Sequence, residues 1–398
     1  MKADFNSLRT EIIETGLCTG CGTCAGVCAP GAIRMAYVNG DPEPELSGKC
    51  SSCGACYDVC PGKDVPMRDL DREFLGRERM PETEPVGVFK ACYRAQAAAP
   101  DVRAYSSSGG AVSAILNAAF ENNTIDAALI AVWDKGEPWK CVPFIATSPD
   151  DVARGARTAM IQVPVNEALR EAVLSRKYRR VAVVGLPCHI HAIRKLQHRG
   201  QPRKIADSVA LTIGLFCAAA YYWEGTRHLL VEFGNIENIE DIVAMDYRGG
   251  QWPGAFYALT RDGKIRFVAE KHDYTYHFLG ASTYKRDRCL SCIDFTAELA
   301  DISCGDILNP GIKQSVATLT RTDVGERFVQ QAVEAGHLAV APHDAALIPA
   351  SGLGWEAKKH AGMYRLIQRK RFGLPAPDFQ YPPKVVPLVR QLSFPSKS

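Results

Sequence analysis

The chain has 398 residues, of which 46% are apolar and 23% charged, and its formal net charge at pH 7 is +3. This composition is typical of globular proteins, and the length suggests two or three domains. The chain contains no run of about 18 apolar residues, so we expect no membrane span. The N-terminus lacks the apolar core of a secretion signal. Fifteen cysteines in such a chain favour metal ligation in a reducing cytoplasm over disulfide bonds.

Eight of these cysteines form two short runs near the N-terminus. The runs "CTGCGTCAGVC" (18–28) and "CSSCGACYDVC" (50–60) share the spacing C-x2-C-x2-C-x3-C. Zinc sites usually separate two cysteine pairs by a dozen or more residues, whereas closely spaced cysteines suit one cubane cluster. In two-cluster ferredoxins the fourth cysteine of each run ligates the other cluster.

This pattern predicts two 4Fe-4S clusters in a small bacterial-type ferredoxin domain covering residues 1–66. The predicted ligands of the first cluster are Cys18, Cys21, Cys24 and Cys60, and those of the second are Cys50, Cys53, Cys56 and Cys28. Paired clusters of this kind transfer single electrons. The alternatives for these cysteines are zinc ligation or free thiols.

The next segment, 67–88, is polar and interrupted by prolines. We interpret it as a linker or as an extension draped on the following domain. Beyond it, helix and strand patterns alternate without strict order. This alternation predicts an α/β or α+β fold with a mixed sheet.

Several segments of this body have clear patterns. Apolar strands are predicted at 125–133 and 208–217, and an amphipathic helix at 165–178. Between them, "RVAVVGLPCHIHAIRKLQHRG" passes from a strand through a Pro-Cys turn into a helix. A turn at "AMDYRGG" and then a hairpin with its tight turn at Asp262-Gly263 are predicted next, and "SVATLTRTDVGERFVQQAVEAGHL" predicts one further strand and helix.

Seven cysteines lie outside the two runs, and four of them suggest a further metal site. Cys188 and Cys217 end predicted strands, where neighbouring strands bring distant residues together, and a C-x2-C pair, Cys289 and Cys292, would complete four thiolates. The alternative is buried, inert free cysteine, and the ligands alone do not distinguish zinc from 4Fe-4S. The three other cysteines are interpreted as core or surface residues: Cys92, Cys141 and Cys304.

A serine–glycine turn precedes an apolar helix in "YSSSGGAVSAILNAAFEN" (105–122). Exposed backbone N–H groups at a helix start, with hydroxyl groups beside them, form a natural phosphate cradle. The alternative is ordinary helix capping by serine. The turn is neither a Walker loop nor the G-x-G-x-x-G fingerprint of NAD domains.

These segments together resemble a known family. The stretches "SSSGGAVSAIL", "VVGLPCHIHAIRK", "IGLFC", "YRGGQWPG" and "KRDRCLSCIDFTAELADISCGD" resemble the beta subunit of coenzyme F420 hydrogenases and dehydrogenases. The resemblance spans roughly residues 85–335, with the ferredoxin domain fused in front. It implies an N-terminal part of a flavin domain at 89–165, a C-terminal part at 166–335, and a C-terminal extension with a basic tail at 336–398.

The resemblance also implies two cofactor sites in this body. One is a non-covalent FAD with its phosphates near Ser107, Ser108, Gly109 and Gly110. The other is a third 4Fe-4S cluster close to the flavin, with the ligands Cys188, Cys217, Cys289 and Cys292. No Ser-His-Asp type of catalytic group is expected, because the hydride chemistry belongs to the flavin.

The leading hypothesis is an FAD-dependent oxidoreductase that exchanges electrons between a deazaflavin coenzyme, coenzyme F420, and a partner redox protein or larger complex. One alternative is a ferredoxin-fed FAD reductase of an organic substrate. Another is a non-catalytic electron-transfer subunit of a larger complex.

Several polar residues keep two interpretations. His189 and His191 are interpreted as structural, although a hydrogen bond to cluster or flavin is the alternative. Five charged residues surround the C-x2-C pair, and each either contacts flavin or substrate or is a solvated residue that caps a helix: Lys285, Asp294, Glu298, Asp301 and Asp306. The basic tail, with "AKKH", "RLIQRKRF", Lys384, Arg390 and Lys397, is either solvated or a contact for an acidic protein or a membrane surface. We expect a cytoplasmic protein with no nucleic-acid partner.

Overall fold

The computed structural model describes residues 3–80, 83–280, 284–307, 314–350 and 353–381. Within these ranges the strands form sheets of two, eight and three strands. The strands are β1 (Ile33–Val38), β2 (Asp41–Leu46), β3 (Ala91–Ala97), β4 (Ala127–Trp133), β5 (Cys141–Ala146), β6 (Val181–Gly185), β7 (Val209–Leu215), β8 (Ile242–Gly249), β9 (Ala255–Thr260), β10 (Ile265–Glu270), β11 (Ile302–Asp306), β12 (Val316–Thr320) and β13 (Leu338–Pro342).

The α-helices described are α1 (Phe5–Leu8), α2 (Thr23–Gly26), α3 (Ala55–Asp58), α4 (Met67–Leu75), α5 (Pro100–Tyr105), α6 (Ala111–Glu121), α7 (Pro149–Arg154), α8 (Ala168–Arg170), α9 (Pro187–Arg199), α10 (Arg203–Ala206), α11 (Trp223–His228), α12 (Asp287–Leu290), α13 (Asp323–Glu334), α14 (Leu347–Ala350), α15 (Leu353–Glu356) and α16 (Met363–Arg371). Tighter or wider helical turns lie at Arg9–Ile13, Val165–Glu167, Glu171–Ser175, Leu229–Phe233, Ile239–Asp241, Asp273–Leu279 and Ala357–Gly362.

The eight-stranded sheet is the centre of the body, and it confirms the predicted mixed sheet. Its strand order is β13-β3-β12-β11-β7-β6-β4-β5. Strands β4, β6, β7 and β11 are parallel to one another, and every other pairing in the sheet is antiparallel. Successive side chains of a strand face opposite sides of the sheet. Val181 and Val183 of β6 therefore lie in one hydrophobic core, and Ala182 and Val184 lie in the other. This sandwiching by two cores explains why the central strands are apolar throughout.

The strand-to-helix segment after residue 180 folds as predicted. Pro187 occupies the first turn of α9, where its missing N–H costs nothing, and Gly200 ends the helix with a φ of 61°. The helix begins directly after the carboxyl end of β6, so Cys188 lies at the edge of the sheet rather than under it.

The three-stranded sheet β10-β9-β8 forms a separate hairpin layer. Its predicted turn at Asp262-Gly263 is present. The Asp262 carboxylate accepts hydrogen bonds from the Lys264 amide and the Thr260 hydroxyl, and Gly263 has a φ of 76°. The segment before this hairpin, "AMDYRGG", looked like a turn in the sequence but forms most of β8, so Arg248 lies near the end of a strand.

The residues between 67 and 88 do not form an isolated linker. Met67 and Leu70 of α4 are buried, and further along Val86 and Val88 are buried as well. Buried in the same region, Arg79 makes ion pairs with Asp71 of α4 and with Glu298 of the main body. This segment is an extension packed on the body, because its apolar side chains and its buried ion pairs both require that contact.

The predicted boundary at residue 335 is also different in the structure. Strand β13 lies beyond it, yet pairs antiparallel with β3 at the edge of the large sheet. The chain then returns to the ferredoxin domain, where the Val65 amide donates to the Asp378 carbonyl oxygen at 2.6 Å. Much of the predicted basic tail is therefore packed on the body, whereas Lys384, Arg390 and Lys397 lie outside the described residues.

Candidate iron–sulfur and anion-binding sites

The first group of N-terminal thiols lies around α2 and the turn after α3. Burial raises the pKa of Cys18 to about 12, and the thiols of Cys60 and Cys21 add to this rise. Burial likewise raises the pKa of Cys24, followed by the effects of Cys21, Cys18 and Cys60. The structure therefore brings together the first three cysteines of the first run and the last cysteine of the second run.

The second group has the complementary composition. Burial raises the pKa of Cys56 to about 12, and the neighbouring thiols that add to the rise are those of Cys53, Cys28 and Cys50. Cys53 is exposed to solvent, so this group reaches the protein surface. The thiol of Cys56 also contributes to the raised pKa of Cys24, which indicates that the two groups adjoin.

The backbone around both groups is shaped for sulfur ligands. Amide groups donate to thiol sulfurs at 3.3–3.4 Å, from Gly20 to Cys18 and from Ala32 to Cys28. Gly22 and Gly54, at corresponding places in the two runs, both have a φ of 82°. A Cβ at Gly22 would lie 2.5 Å from the Pro164 carbonyl oxygen. Amides directed at sulfur are the outer contacts that iron–sulfur clusters use, so these residues fit such clusters.

The third group lies at the carboxyl edge of the large sheet. Gly185 of β6 pairs in register with Gly214 of β7, and Cys188 and Cys217 each follow their glycine by three residues. The segment that contains Cys289 crosses this edge. It is held there by hydrogen bonds from the Arg286 amide to the Ala220 carbonyl oxygen at 3.2 Å and from the Cys217 amide to the Phe295 carbonyl oxygen at 2.8 Å.

The four thiols of this third group interact with one another. Burial raises the pKa of Cys217 well above its usual value, and the nearby Lys358 ammonium opposes this shift. The thiols that raise it further are those of Cys289, Cys188 and Cys292. Burial also raises the pKa of Cys188 to about 11, with the thiol of Cys292 as the next cause.

Two buried cations face this third group, and neither was identified from the sequence as part of a site. The side chains of Lys358 and Arg288 are 2% and 3% exposed, respectively. Lys358 donates to the Cys289 carbonyl oxygen at 3.3 Å, and the charge of Arg288 lowers the pKa of Cys188, against the larger effect of burial. Among the described residues neither cation has a carboxylate within ion-pair distance. Buried cations need compensation, and ionised thiolates would supply it.

A single metal ion and a four-iron cluster need different spacings of their sulfur ligands. The described ranges contain no group of three or more Cys, His, Asp or Glu side chains that could hold one ion. A tetrahedral zinc ion would need its sulfur ligands about 3.8 Å apart, given the usual zinc–sulfur distance. A cubane distributes its four thiolates over four iron atoms and therefore needs a wider spacing.

The two histidines after Cys188 contact protein groups, and His189 Nδ1 also lies 3.9 Å from the sulfur of Cys188. His189 Nε2 lies 2.8 Å from the Val163 carbonyl oxygen, and His191 Nε2 lies 2.8 Å from Asp294 Oδ2. Burial lowers the pKa of His189, which keeps it neutral. Of the acidic residues considered with them, Glu298 pairs with Arg79 and Lys359, and Asp301 pairs with Arg194.

The serine–glycine turn forms part of a polar site at the start of α6. No side chain caps this helix, so the capping alternative is not what the serines do. Ser107 accepts a hydrogen bond from the Thr158 amide at 2.8 Å, whereas Ser108 donates to Asp306 at 2.5 Å. Gly110 adopts a φ of 73° just before the helix.

Arg248 and Lys271 complete this polar site. Arg248 Nη1 donates to Ser108 Oγ at 2.9 Å, and both cations lie within 3.0 Å of Asp306 Oδ2. Two cations share one carboxylate, so the site keeps a net positive charge. The Arg248 side chain is 5% exposed, yet its Nη2 has no hydrogen-bond partner among the described residues. A buried, unpaired guanidinium nitrogen beside a helix start fits an anion such as a phosphate group.

The anion site adjoins the third thiol group. Strands β7 and β11 are parallel neighbours with Leu215 opposite Cys304. Two residues further along each chain lie Cys217 and Asp306, respectively, and neighbouring strands are about 4.8 Å apart. Both sites therefore occupy the carboxyl edge of the parallel strands, where open α/β sheets bind ligands. Arg248 lies in "YRGGQWPG", one of the stretches that carry the family resemblance, so this motif could have indicated it. No motif in the sequence surrounds Lys271.

This fold and these thiol groups define an iron–sulfur electron-transfer protein. Comparisons with protein families agree, since residues 17–65 match the 4Fe-4S dicluster domain. Residues 92–170 match the N-terminal model, and residues 178–346 the C-terminal model, of the coenzyme F420 hydrogenase/dehydrogenase beta subunit. The chain belongs to the coenzyme F420 hydrogenase/dehydrogenase beta-subunit family, as the resemblance implied.

Individual relatives support this assignment. One subunit of the F(420)H(2) dehydrogenase of Methanosarcina mazei is 30% identical over 325 residues, covering 80% of this chain and 83% of that protein. The beta subunit of the coenzyme F420 hydrogenase of Methanococcus voltae is 28% identical over 296 residues, covering 74% of this chain and 99% of that protein. A chain of the F420-reducing [NiFe] hydrogenase complex from Methanosarcina barkeri shares the fold, with a TM-score of 0.60 and 24% identity over 73% of this chain and 96% of that chain.

None of the helices in the described ranges has the length and apolar character needed to cross a membrane.

Proposed function

We propose that the chain is the FAD-containing subunit of a larger oxidoreductase and passes electrons between coenzyme F420 and the redox centres of a partner protein. The observation that carries this proposal is the adjacency of the anion site and the third thiol group on one sheet edge. Relatives named as subunits of F420 hydrogenase and F(420)H(2) dehydrogenase support the choice of coenzyme.

The proposed cofactor contacts follow from the charges described above. The phosphates of FAD would meet Ser108, the backbone amides of Gly109 and Gly110, and the unpaired Nη2 of Arg248. A bound flavin would supply hydride exchange with the coenzyme and single-electron exchange with clusters. The protein's own contribution is to hold the anionic end, keep Asp306 ionised between two cations, and exclude water from the sheet edge.

Three 4Fe-4S clusters are proposed in series. The third, at Cys188, Cys217, Cys289 and Cys292, would lie nearest the flavin. The first N-terminal group is its neighbour, because Asn166 Nδ2 donates both to the His189 carbonyl oxygen at 3.0 Å and to Thr23 Oγ1 at 2.8 Å. Thr23 lies within the first cysteine run, between Cys21 and Cys24. The second group, with its exposed Cys53, is the point of contact with a partner.

The proposal is tested with protein purified without oxygen, after FAD and iron per chain have been measured. Reduced coenzyme F420 is added together with a viologen dye as the acceptor. Each hydride carries two electrons, so one reduced coenzyme should reduce two dye molecules and release two protons, one from the hydride and one from its ring nitrogen. Dye reduction at this ratio supports the proposal.

Other outcomes discriminate the alternatives. If reduced ferredoxin, but not reduced coenzyme F420, bleaches the FAD absorbance, the chain is a ferredoxin-fed reductase of another substrate. If FAD binds and neither donor reduces it, the chain transfers electrons for a complex and has no substrate site of its own. Either result contradicts the proposed reaction.

A further inference from the structure

Lys358 is a buried cation from the C-terminal extension, beyond the residues that match the family models. It lies in the helical turn Ala357–Gly362, and its ammonium group donates to the Cys289 carbonyl oxygen at 3.3 Å. The thiols of Cys292, Cys289 and Cys217 are near enough to the ammonium group to interact with its charge.

Cations near the first N-terminal group differ from Lys358 in one respect. Lys195 donates to the Cys60 carbonyl oxygen but is paired with Asp64, and Arg286, which acts on Cys18, is paired with Asp41 at 3.0 Å. Each of these charges is neutralised by its own carboxylate. Lys358 has no carboxylate within ion-pair distance among the described residues, whereas the adjacent Lys359 is paired with Glu298.

An uncompensated cation at a buried redox site affects reduction and oxidation unequally. Reduction adds one negative charge at the third thiol group, and a fixed positive charge beside it favours that change. Because Lys358 is buried, water screens this attraction only weakly. The paired cations Lys195 and Arg286 have less effect, since the carboxylate beside each one cancels most of its field.

We infer that Lys358 raises the reduction potential of the third cluster and so makes this site a better electron acceptor than its thiol ligands alone would. The inference rests on the proposed third cluster. It assigns to the C-terminal extension an electrostatic role in electron transfer, in addition to covering the site.

The test is a potentiometric titration of the holoprotein, followed by electron paramagnetic resonance at low temperature. The neutral variants are Lys358→Met and Lys358→Gln, which keep most of the side-chain volume. Lys358→Arg keeps the charge, and Lys370→Met, an exposed residue of α16, removes a charge from the same extension without touching the site. Iron per chain is measured for every variant.

We expect each neutral variant to keep the wild-type iron content and to lower the midpoint potential of the third cluster. A tenfold change in the ratio of reduced to oxidised cluster corresponds to about 59 mV, and we expect at least this shift. Lys358→Arg and Lys370→Met should keep the wild-type midpoint.

Three outcomes overturn the inference. An unchanged midpoint in a neutral variant with full iron content contradicts the electrostatic role and leaves the proposed function intact. A midpoint in Lys358→Arg as low as in Lys358→Met shows that shape, not charge, matters. About eight iron atoms per wild-type chain, rather than about twelve, removes the third cluster itself and with it that part of the proposed function.

Discussion

The guanidinium group of Arg288 donates a hydrogen bond to the Pro61 carbonyl oxygen, with Nη2 3.2 Å from that oxygen. Arg288 directly precedes Cys289, and Pro61 directly follows Cys60. One hydrogen bond from the Arg288 side chain therefore connects the segment of the third thiol group with the backbone next to the first N-terminal group. The proposed single-electron transfer between the two sites requires such proximity.

The ligand assignment of the third site predicts the effect of Cys289→Ala. This variant should lose about four iron atoms per chain while the signals of the two ferredoxin clusters persist, because its thiol belongs to the third group alone. The measurement is iron content with electron paramagnetic resonance after reduction by dithionite. Cys92→Ala, a cysteine outside all three groups, should leave both unchanged. Full iron content in Cys289→Ala would contradict the assignment.

The exchange of cysteines between the two N-terminal runs predicts which variants share a phenotype. Cys60→Ala should abolish the same paramagnetic signal as Cys18→Ala, although these residues lie in different runs. Cys28→Ala should instead match Cys50→Ala. The comparison uses the four single variants, each reduced under identical conditions. If Cys60→Ala pairs with Cys50→Ala instead, each run binds its own cluster.

The anion site predicts that Arg248→Met weakens FAD binding. A hydrogen bond to a charged group contributes about 1.5–3 kcal/mol, which corresponds to a loss of affinity of about ten- to hundredfold. Affinity is measured by titrating FAD into flavin-free protein and following fluorescence quenching. Arg266→Met, in the same small sheet but paired with Asp262, is the matched control and should bind FAD normally. Equal affinity in Arg248→Met and wild type would show that the phosphates bind elsewhere.

The buried ion pairs under the extension predict a large loss of stability in Arg79→Met. Arg79 lies between Asp71 and Glu298, and all three side chains are at most 4% exposed. Removing the cation leaves two buried carboxylates facing each other, a loss of about 3–5 kcal/mol. The midpoint of denaturant unfolding should fall accordingly.

Arg72→Met provides the comparison, because Arg72 makes an exposed pair with Asp69. Exposed pairs contribute about 0–1 kcal/mol, so the unfolding midpoint should barely move. Similar effects of the two substitutions would mean that Arg79 is not enclosed as described.

The sequence was most informative where chemistry is local. Three cysteines within seven residues can only lie close together, so the N-terminal groups could be predicted from spacing. The same pattern predicted that Cys28 and Cys60 each join the group of the other run. The third group could be predicted only by assuming that two parallel strands are neighbours. The positions of Cys188 and Cys217 just after predicted strands suggested this arrangement. The sequence located β6 and α9, because a strand buried on both faces is a continuous apolar run and proline is common in the first turn of a helix.

The partners of charged side chains that are distant in sequence could not be predicted in this way. Lys358 lies in a basic stretch that has the composition of a solvated tail, and only tertiary packing turns its ammonium group toward thiols. Arg248 lies in a Gly-rich stretch that resembled a turn, yet it ends a strand, because pairing with β9 overrides the local preference. Single charged side chains carry no periodic signal, so their partners emerge only from the fold.

The hydrogen bond between Val65 and Asp378 has a consequence for biosynthesis. Residues near the beginning of the chain are covered by residues that the ribosome adds more than three hundred positions later. Val65 and Phe379 belong to one buried cluster, so this part of the hydrophobic core is complete only after the last stretch has been synthesised.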